Sequence, residues 1–381
     1  MTHTVKTRRL VTTALDGNEL YLLQSLGYRP GQLLVGNSVQ ALGVLKTLGA
    51  GVRNAFGGES ATISELIKSG RDAALLRMEQ EAEQVQACGV SSVRAELSQL
   101  SGNTEFLATG SALMGKTADH GSIFTSSFDG KQLFCAMDAG YTPVHFAFGN
   151  IAYSIGIGGG FLGGVKTMFR GEIPEYSNIL NTTRHAALSR LEADARHRGA
   201  NVVLGVETDL TRFEDFHEMY MTGTSAVHPS LPSGQVASCD LTCDELWSLA
   251  KAGYAPMKIL MGTAVYALGV AGSIKAWLRS LKRGEIPELT SLVYDAREHA
   301  LDLVEQQAES LGADFVAGTD VYVQELAPGV LEFLAVGTAV KACDASMAPR
   351  SNALPAQAVA EHRRTFRDSV DEMLSGDDER E

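Results

Sequence analysis

The spacing of apolar residues predicts a long helix in the last third of the chain. From residue 286 onward, apolar side chains recur at steps of three and four, which places them on one stripe of a helix. The stripe consists of Ile286, Leu289, Leu292, Val293, Ala296, Ala300, Leu301, Val304, Ala308 and Leu311. Pro287 suits a first helical turn, and Gly312 stands where a left-handed cap commonly ends a helix.

Strand-forming segments flank this helix. "APMKILMGTAVYALGV" precedes it, and "DFVAGTDVYV" and "LEFLAVGTAVKA" follow, joined through a Pro328-Gly329 turn. Between the first strand and the long helix, "AGSIKAWLRSLKRG" has the pattern of a shorter amphipathic helix. The pattern predicts an α+β unit, a small and mainly antiparallel sheet with two helices.

This unit is written three times along the chain. "SLGYRPGQLLVGNSVQALGV", "DAGYTPVHFAFGNIAYSIGI" and "KAGYAPMKILMGTAVYALGV" begin 113 positions apart. The same period relates the glycines Gly36, Gly149 and Gly262, the glutamates Glu59, Glu172 and Glu285, and the arginines Arg71, Arg184 and Arg297. We therefore predict three tandem homologous domains near 9–118, 122–230 and 235–345, followed by a C-terminal helix and acidic tail at 346–381.

The repeats exclude two interpretations of the uncharged, glycine-rich stretch at 146–165. Its counterparts carry Lys46 and Lys275, and a lysine at the centre of a membrane span costs roughly 2.5–3.5 kcal/mol, so no span is expected. Gly158, Gly160 and Gly163 match a dinucleotide-binding glycine pattern, but the other two copies lack these glycines. We expect close-packed backbone here, and no cofactor.

Composition narrows the function further. The chain of 381 residues has a formal net charge of -13 and no basic cluster, which argues against nucleic acid as a partner. Five cysteines are too few and too uneven for a disulfide framework, and the N-terminus has no apolar signal segment. We expect a cytoplasmic protein. A small sheet leaves an edge exposed, and pairing with a neighbouring domain or a second chain would cover it.

Three residues are candidates for metal binding. Cys239 and Cys243 are four apart, so both thiolates could share a helical face, but a tetrahedral heavy-metal site needs two further ligands, and no C-x-x-C or H-x-x-x-H lies nearby. In "RFEDFHEMY", carboxylates flank His217. We favour two ordinary cysteines near a helix start, and a solvated turn or edge strand around His217.

The repeated charges have two interpretations. Arg71, Arg184 and Arg297, each followed eight residues later by a glutamate (Glu79, Glu192, Glu305), could form salt bridges between domains or gather around an axis to bind an anion. We favour salt bridges, and we place Glu59, Glu172 and Glu285 at helix N-termini. No serine or cysteine motif of nucleophilic catalysis occurs, so the sequence leans away from an enzyme.

The chain resembles the YbjQ family, whose small bacterial proteins carry the label of a heavy-metal-binding domain. The Gly-Glu steps, the helix in "YDAREHALDLVEQQAESLGADFVAGTDV" and the closing "VGTAVKA" carry the resemblance. Single-domain members resemble ring-forming oligomers, so the resemblance implies a multidomain protein that also assembles. Our hypothesis is a self-assembling, non-catalytic scaffold or binding protein whose partner is itself, in a ring or larger homo-oligomer. The alternative is a protein that binds or buffers a divalent heavy metal.

Overall fold

The computed structural model describes residues 10–41, 58–100, 103–115, 123–154, 170–213, 216–268, 287–327, 329–343, 347–359 and 366–367. The helices are α1 (Gly17–Ser25), α2 (Ala61–Gln84), α3 (Gly130–Asp138), α4 (Pro174–His197), α5 (Cys243–Lys251) and α6 (Pro287–Leu311). The strands are β1 (Arg29–Ala41), β2 (Gly58–Glu59), β3 (Gly89–Leu100), β4 (Asn103–Met114), β5 (Phe124–Thr125), β6 (Thr142–Ser154), β7 (Arg170–Glu172), β8 (Val202–Arg212), β9 (His217–Val227), β10 (Ala237–Ser238), β11 (Tyr254–Leu268), β12 (Phe315–Ala327), β13 (Val330–Ala342) and β14 (Phe366–Arg367).

The chain forms three similar α+β units, which confirms the predicted fold class. Each unit has a short helix, a long strand, a long helix and a closing hairpin, in that order. The first unit runs from α1 to β4, the second from β5 to β9, and the third from β10 to β13. The long helix and the three strands predicted for the third copy are all present. The shorter helix predicted at 271–284 lies outside the described residues, as does the second half of the 146–165 stretch.

Of the short helices α1, α3 and α5, only a helix start near Cys243 was predicted from the sequence. Each begins at a capping box, in which the N-cap side chain accepts a hydrogen bond from the third helical amide and the third residue bonds back. The N-cap residues are Asp16, Asp129 and Thr242. These helices pack against one another in one apolar cluster that also holds Phe128, Tyr141 and Trp247.

Each unit contributes short strands of two or three residues to its neighbours' sheets. In the first sheet the order is β1-β4-β3-β5, in the second β10-β8-β9-β6-β2, and in the third β12-β13-β11-β7. Thus β2 leaves the first unit to pair with β6 of the second, and β7 leaves the second to pair with β11 of the third. In the other direction β5 and β10 return to pair in parallel with β3 and β8 of the preceding unit.

The repeated glycines lie where a helix crosses a strand at very short range. A Cβ atom at Gly149 would lie 2.3 Å from the carbonyl oxygen of Ala187 in α4. At Gly36 and Gly262 it would lie 2.1 and 2.2 Å from equivalent carbonyl oxygens in α2 and α6. No side chain fits at these positions, which explains why a glycine recurs there in every unit.

Each of the first two long helices is covered on both sides. Helix α2 packs on its own sheet and also on Phe146, Phe148 and Ala152 of the second unit. Helix α4 packs in the same way on Ile259 and Met261 of the third unit. Helix α6 is different, because its apolar cluster contains residues of the third unit alone. None of the helices in the described part of the chain is long and apolar enough to span a bilayer.

Two predictions about local structure are wrong. The segment around His217 is neither solvated nor an edge strand, because β9 lies between β8 and β6 and Glu218 is fully buried. The C-terminal segment, where described, is a 3-10 turn at Ala356–Ala358 and the short strand β14, not a helix. The cause is local, since Asp138 accepts hydrogen bonds from the amide and hydroxyl of Ser351 and holds this segment against α3.

Candidate functional site

The two junctions between units have the same construction. We call the contact of the first and second units the first junction, and that of the second and third units the second junction. At the first junction, the Ser64 hydroxyl donates to Glu59 at 3.1 Å and accepts the Ala152 amide at 2.9 Å. At the second junction, Ser177 links Glu172 to the amide of Val265 at the same two distances. Glu59 and Glu172 therefore lie in edge strands, one or two residues before a helix.

A buried ion pair crosses each junction. The Arg71 guanidinium donates two hydrogen bonds to the Glu218 carboxylate, one of them 2.9 Å long, and its central carbon lies 3.7 Å from the ring centre of Tyr220. Both charged side chains are almost completely buried. Burial alone lowers the pKa of Arg71, but the charge and hydrogen bonds of Glu218 outweigh it and raise that pKa.

The second junction repeats this pair with one difference. Arg184 donates to Glu332 and, at 2.5 Å, to the hydroxyl of Thr263. Its Nε and Nη2 atoms have no hydrogen-bond partner among the described residues, and the side chain lines a narrow cavity beside Met221 and Met261. Arg71 and Arg184 are thus engaged by carboxylates of the next unit rather than gathered around an open axis.

The glutamates eight residues further along also face the next unit. Glu192 accepts a hydrogen bond from Lys258 at 3.1 Å and another from Ser238 at 3.0 Å. Burial raises the pKa of Glu79, while His145 and Arg198 act in the opposite direction. In the third unit Arg297 and Glu305 are exposed instead, and Glu285 lies outside the described residues.

Sequence reasoning missed a serine–histidine–aspartate arrangement in the second unit. The Ser225 hydroxyl lies 2.5 Å from Nδ1 of His145, whose Nε2 lies 3.1 Å from Asp194. Ser225 is fully buried and its hydroxyl also bonds the backbone of His145 at a β-bulge. A nucleophilic serine needs space for a reacting atom beside its hydroxyl. The buried Ser225 hydroxyl instead stabilises the β-bulge at His145.

The structure does not bring His217 to the two candidate cysteines. Cys239 and Cys243 are both fully buried in the cluster of short helices. The amide of Cys239 donates to Val203 near one end of β8, whereas His217 pairs with Arg212 at the other end. Nine residues of strand separate these points, or roughly 30 Å. His217 instead stacks on Tyr153, with ring centres 5.6 Å apart.

Burial also changes the acidity of these thiols. Burial, with the neighbouring Cys135 and Cys239, raises the pKa of Cys243 well above its ordinary value. A thiol must be deprotonated to bind zinc or copper. Within the part of the chain that the structure describes, no group of three or more histidine, cysteine, aspartate or glutamate side chains could hold a metal ion.

Comparison with known proteins agrees with the repeated architecture. The model of the YbjQ family, described as "Putative heavy-metal-binding", matches residues 29–116, 141–228 and 253–343. An encapsulin nanocompartment protein of Mycobacterium tuberculosis is 28% identical over 230 residues, covering 57% of this chain and 86% of that protein. A UPF0145 protein of Methanocella arvoryzae is 40% identical over 81 residues, which is 21% of this chain and 68% of that protein.

A further UPF0145 protein, from Methanococcus vannielii, is 37% identical over 82 residues, covering 22% of this chain and 78% of that protein. The fold and the two junctions define a tandem-repeat protein in which buried arginine–glutamate pairs connect each unit to the next. The chain belongs to the YbjQ family, with three copies of its domain.

Proposed function

We propose that this protein is a self-assembling, non-catalytic scaffold built from YbjQ-type units. The observation that carries the proposal is the use of the repeated polar residues. In the first two units the Gly-Glu strand and the helix arginine both contact the next unit, and in the second unit the helix glutamate Glu192 does so too. The similar protein of Mycobacterium tuberculosis is named as part of an encapsulin nanocompartment, which supports a structural role.

Mass measurement tests this proposal directly. The purified chain of 40.6 kDa is examined by light scattering after size exclusion, and by native mass spectrometry, from about 0.1 to 50 µM. We expect a defined multiple of the chain mass that persists on dilution, and rings or larger closed particles in negatively stained micrographs. A monodisperse single chain across the whole range would overturn the proposal.

Heavy-metal binding is the second candidate function, and the description of the family favours it. Elemental analysis after purification separates the two candidates, with the wild type compared with a Cys239→Ser/Cys243→Ser variant. Stoichiometric zinc or copper in the wild type that is lost in the variant would establish metal binding. Metal absent from both proteins would exclude it. A His217→Ala variant is the matched control, because His217 lies far from both thiols along β8.

A further inference from the structure

One face of the first unit's sheet is exposed, whereas the equivalent faces of the second and third units are covered. Along β1 the side chains of Val35, Asn37 and Val39 are exposed. Val35 is 46% and Val39 50% exposed. One period later Phe148 and Ala152 are 4% and 0% exposed, because helix α2 lies over them.

The third unit repeats this comparison one period further. Met261 and Val265, the counterparts of Phe148 and Ala152, are 3% and 0% exposed beneath α4. The face of the first unit is thus half apolar, and no helix among the described residues covers it, whereas both equivalent faces have such a helix. We call it the β1 face and define it as Val35, Asn37, Val39 and Glu105.

The third unit has the complementary surface. The residues of α4 that cross the second junction are Asn181, Arg184, Leu188 and Glu192. Their counterparts in α6 are Tyr294, Arg297, Leu301 and Glu305, which we call the α6 face. Tyr294 is 61% exposed, and Arg297 and Glu305 are also exposed. Among the described residues no ion pair involves Arg297.

Strand register identifies the residue that Arg297 would meet. Glu218 pairs across the sheet with Ala152, and Glu332 pairs with Val265. The equivalent position in β1 is Val39, whose partner is Glu105. Glu105 is only partly buried, and its hydrogen bonds to Asn37 and Ser98 are long, at 3.5 and 3.4 Å. The α6 face therefore carries an arginine without an ion-pair partner among the described residues, and the β1 face carries the matching carboxylate.

The sheet edges are complementary in the same sense. Within the described chain, β1 has no short strand on its outer edge, although β6 and β11 each have one. At the other end β12 has no parallel short strand, although β3 and β8 each have one. The segment equivalent to β5 and β10 begins at Val11, which is 54% exposed, and its register partner would be Phe315, which is 43% exposed.

From these matches we propose that the α6 face of one chain binds the β1 face of a second copy, head to tail, through an Arg297–Glu105 ion pair. The inference rests on the proposed self-assembly and names its contact surface. The partner is a second copy because both internal junctions are built in this way. The α6 face lies in the last unit of the chain and the β1 face in the first, so two copies can join the two faces. A head-to-tail contact of this kind closes into a ring or propagates as a filament.

Charge reversal tests the contact. The variants Arg297→Glu and Glu105→Arg each place like charges together at the contact, and neither side chain is needed for the fold of a single chain. Removing one partner of a buried pair weakens an interface by about 30-fold or more, so each variant should dissociate at concentrations where the wild type is assembled. The matched controls are Arg196→Glu in α4 and Glu65→Arg in α2, both exposed and outside the two faces.

Mixing the two variants supplies the decisive result. Alone, each variant has a repulsive pair at every contact, but in an alternating assembly the charges at positions 297 and 105 are complementary everywhere. We expect the double variant Arg297→Glu/Glu105→Arg to recover the wild-type mass in sedimentation velocity, and the mixture to form assemblies with an even number of chains. If the wild type assembles and the single variants assemble equally well, this contact is wrong while the scaffold proposal stands. A wild type that is a single chain at every concentration would overturn both.

Discussion

The Arg71–Glu218 pair allows the junction chemistry to be tested within one chain. Arg71→Met removes the guanidinium and leaves Glu218, which has no solvent exposure, as a buried carboxylate without its partner. Breaking a buried pair in this way costs about 3–5 kcal/mol of unfolding free energy. The double variant Arg71→Met/Glu218→Leu removes both charges, so we expect it to be more stable than Arg71→Met by about 2 kcal/mol or more.

Urea unfolding followed by circular dichroism measures these differences, since the midpoint and slope give the unfolding free energy. Asp72→Asn is the matched control, because the Lys68–Asp72 pair lies on the same helix but is largely exposed. Its loss should cost less than about 0.5 kcal/mol. The Trp247 side chain, buried near the second junction, gives a fluorescence signal that shows whether the loss reaches the rest of the array.

The size of the deficit at pH 7 decides whether the buried pair matters. An Arg71→Met variant within about 1 kcal/mol of the wild type at pH 7 would refute the reasoning.

Three further predictions follow from single contacts. Gly149→Ala should destabilise the chain by about 1–3 kcal/mol or more, because its Cβ would overlap α4, whereas Gly17→Ala, with open space around it, should be neutral within about 1 kcal/mol in thermal unfolding. Asp138→Ala should free the segment around Ser351 and leave the Trp247 indole N–H unpaired. Limited proteolysis should therefore cut near residue 351 several-fold faster, whereas Asp302→Ala, at an exposed position, should not change the cleavage rate. Burial lowers the pKa of His228 below its ordinary value, so the unfolded chain takes up the proton first and stability should fall as the pH drops from about 6.5; His228→Asn should flatten that fall in pH-dependent urea titrations, and an unchanged profile would contradict it.

Regular spacing made most of the fold predictable. The apolar stripe of α6, the strand-forming segments of β12 and β13 and the 113-residue period of Gly36, Gly149 and Gly262 are local or periodic signals, and the described residues follow them. The short helices carried a signal that was overlooked. Asp16 and Glu19 have the spacing of a capping box, as do the corresponding residues before α3 and α5.

The junction contacts were harder to predict because they join distant residues. Arg71 and Glu218 are 147 positions apart, and nothing in the local sequence links them. Glu105, Glu218 and Glu332 do recur, but the last interval is one residue longer because the third hairpin differs, so a strict period misses it. The hydrogen bonds of His145 depend on a β-bulge that shifts the strand register, and no residue type in the sequence predicts where this bulge lies.

The strands that pass from one unit to the next affect how the contacts between units depend on protein concentration. Because β2 and β7 tether neighbouring units, each internal junction forms at an effective local concentration set by the linker, on the order of millimolar. Diluting the protein therefore cannot separate the units of one chain. A cell that made three separate domains would have to maintain each contact by abundance alone, whereas in the fused chain the internal contacts do not depend on expression level.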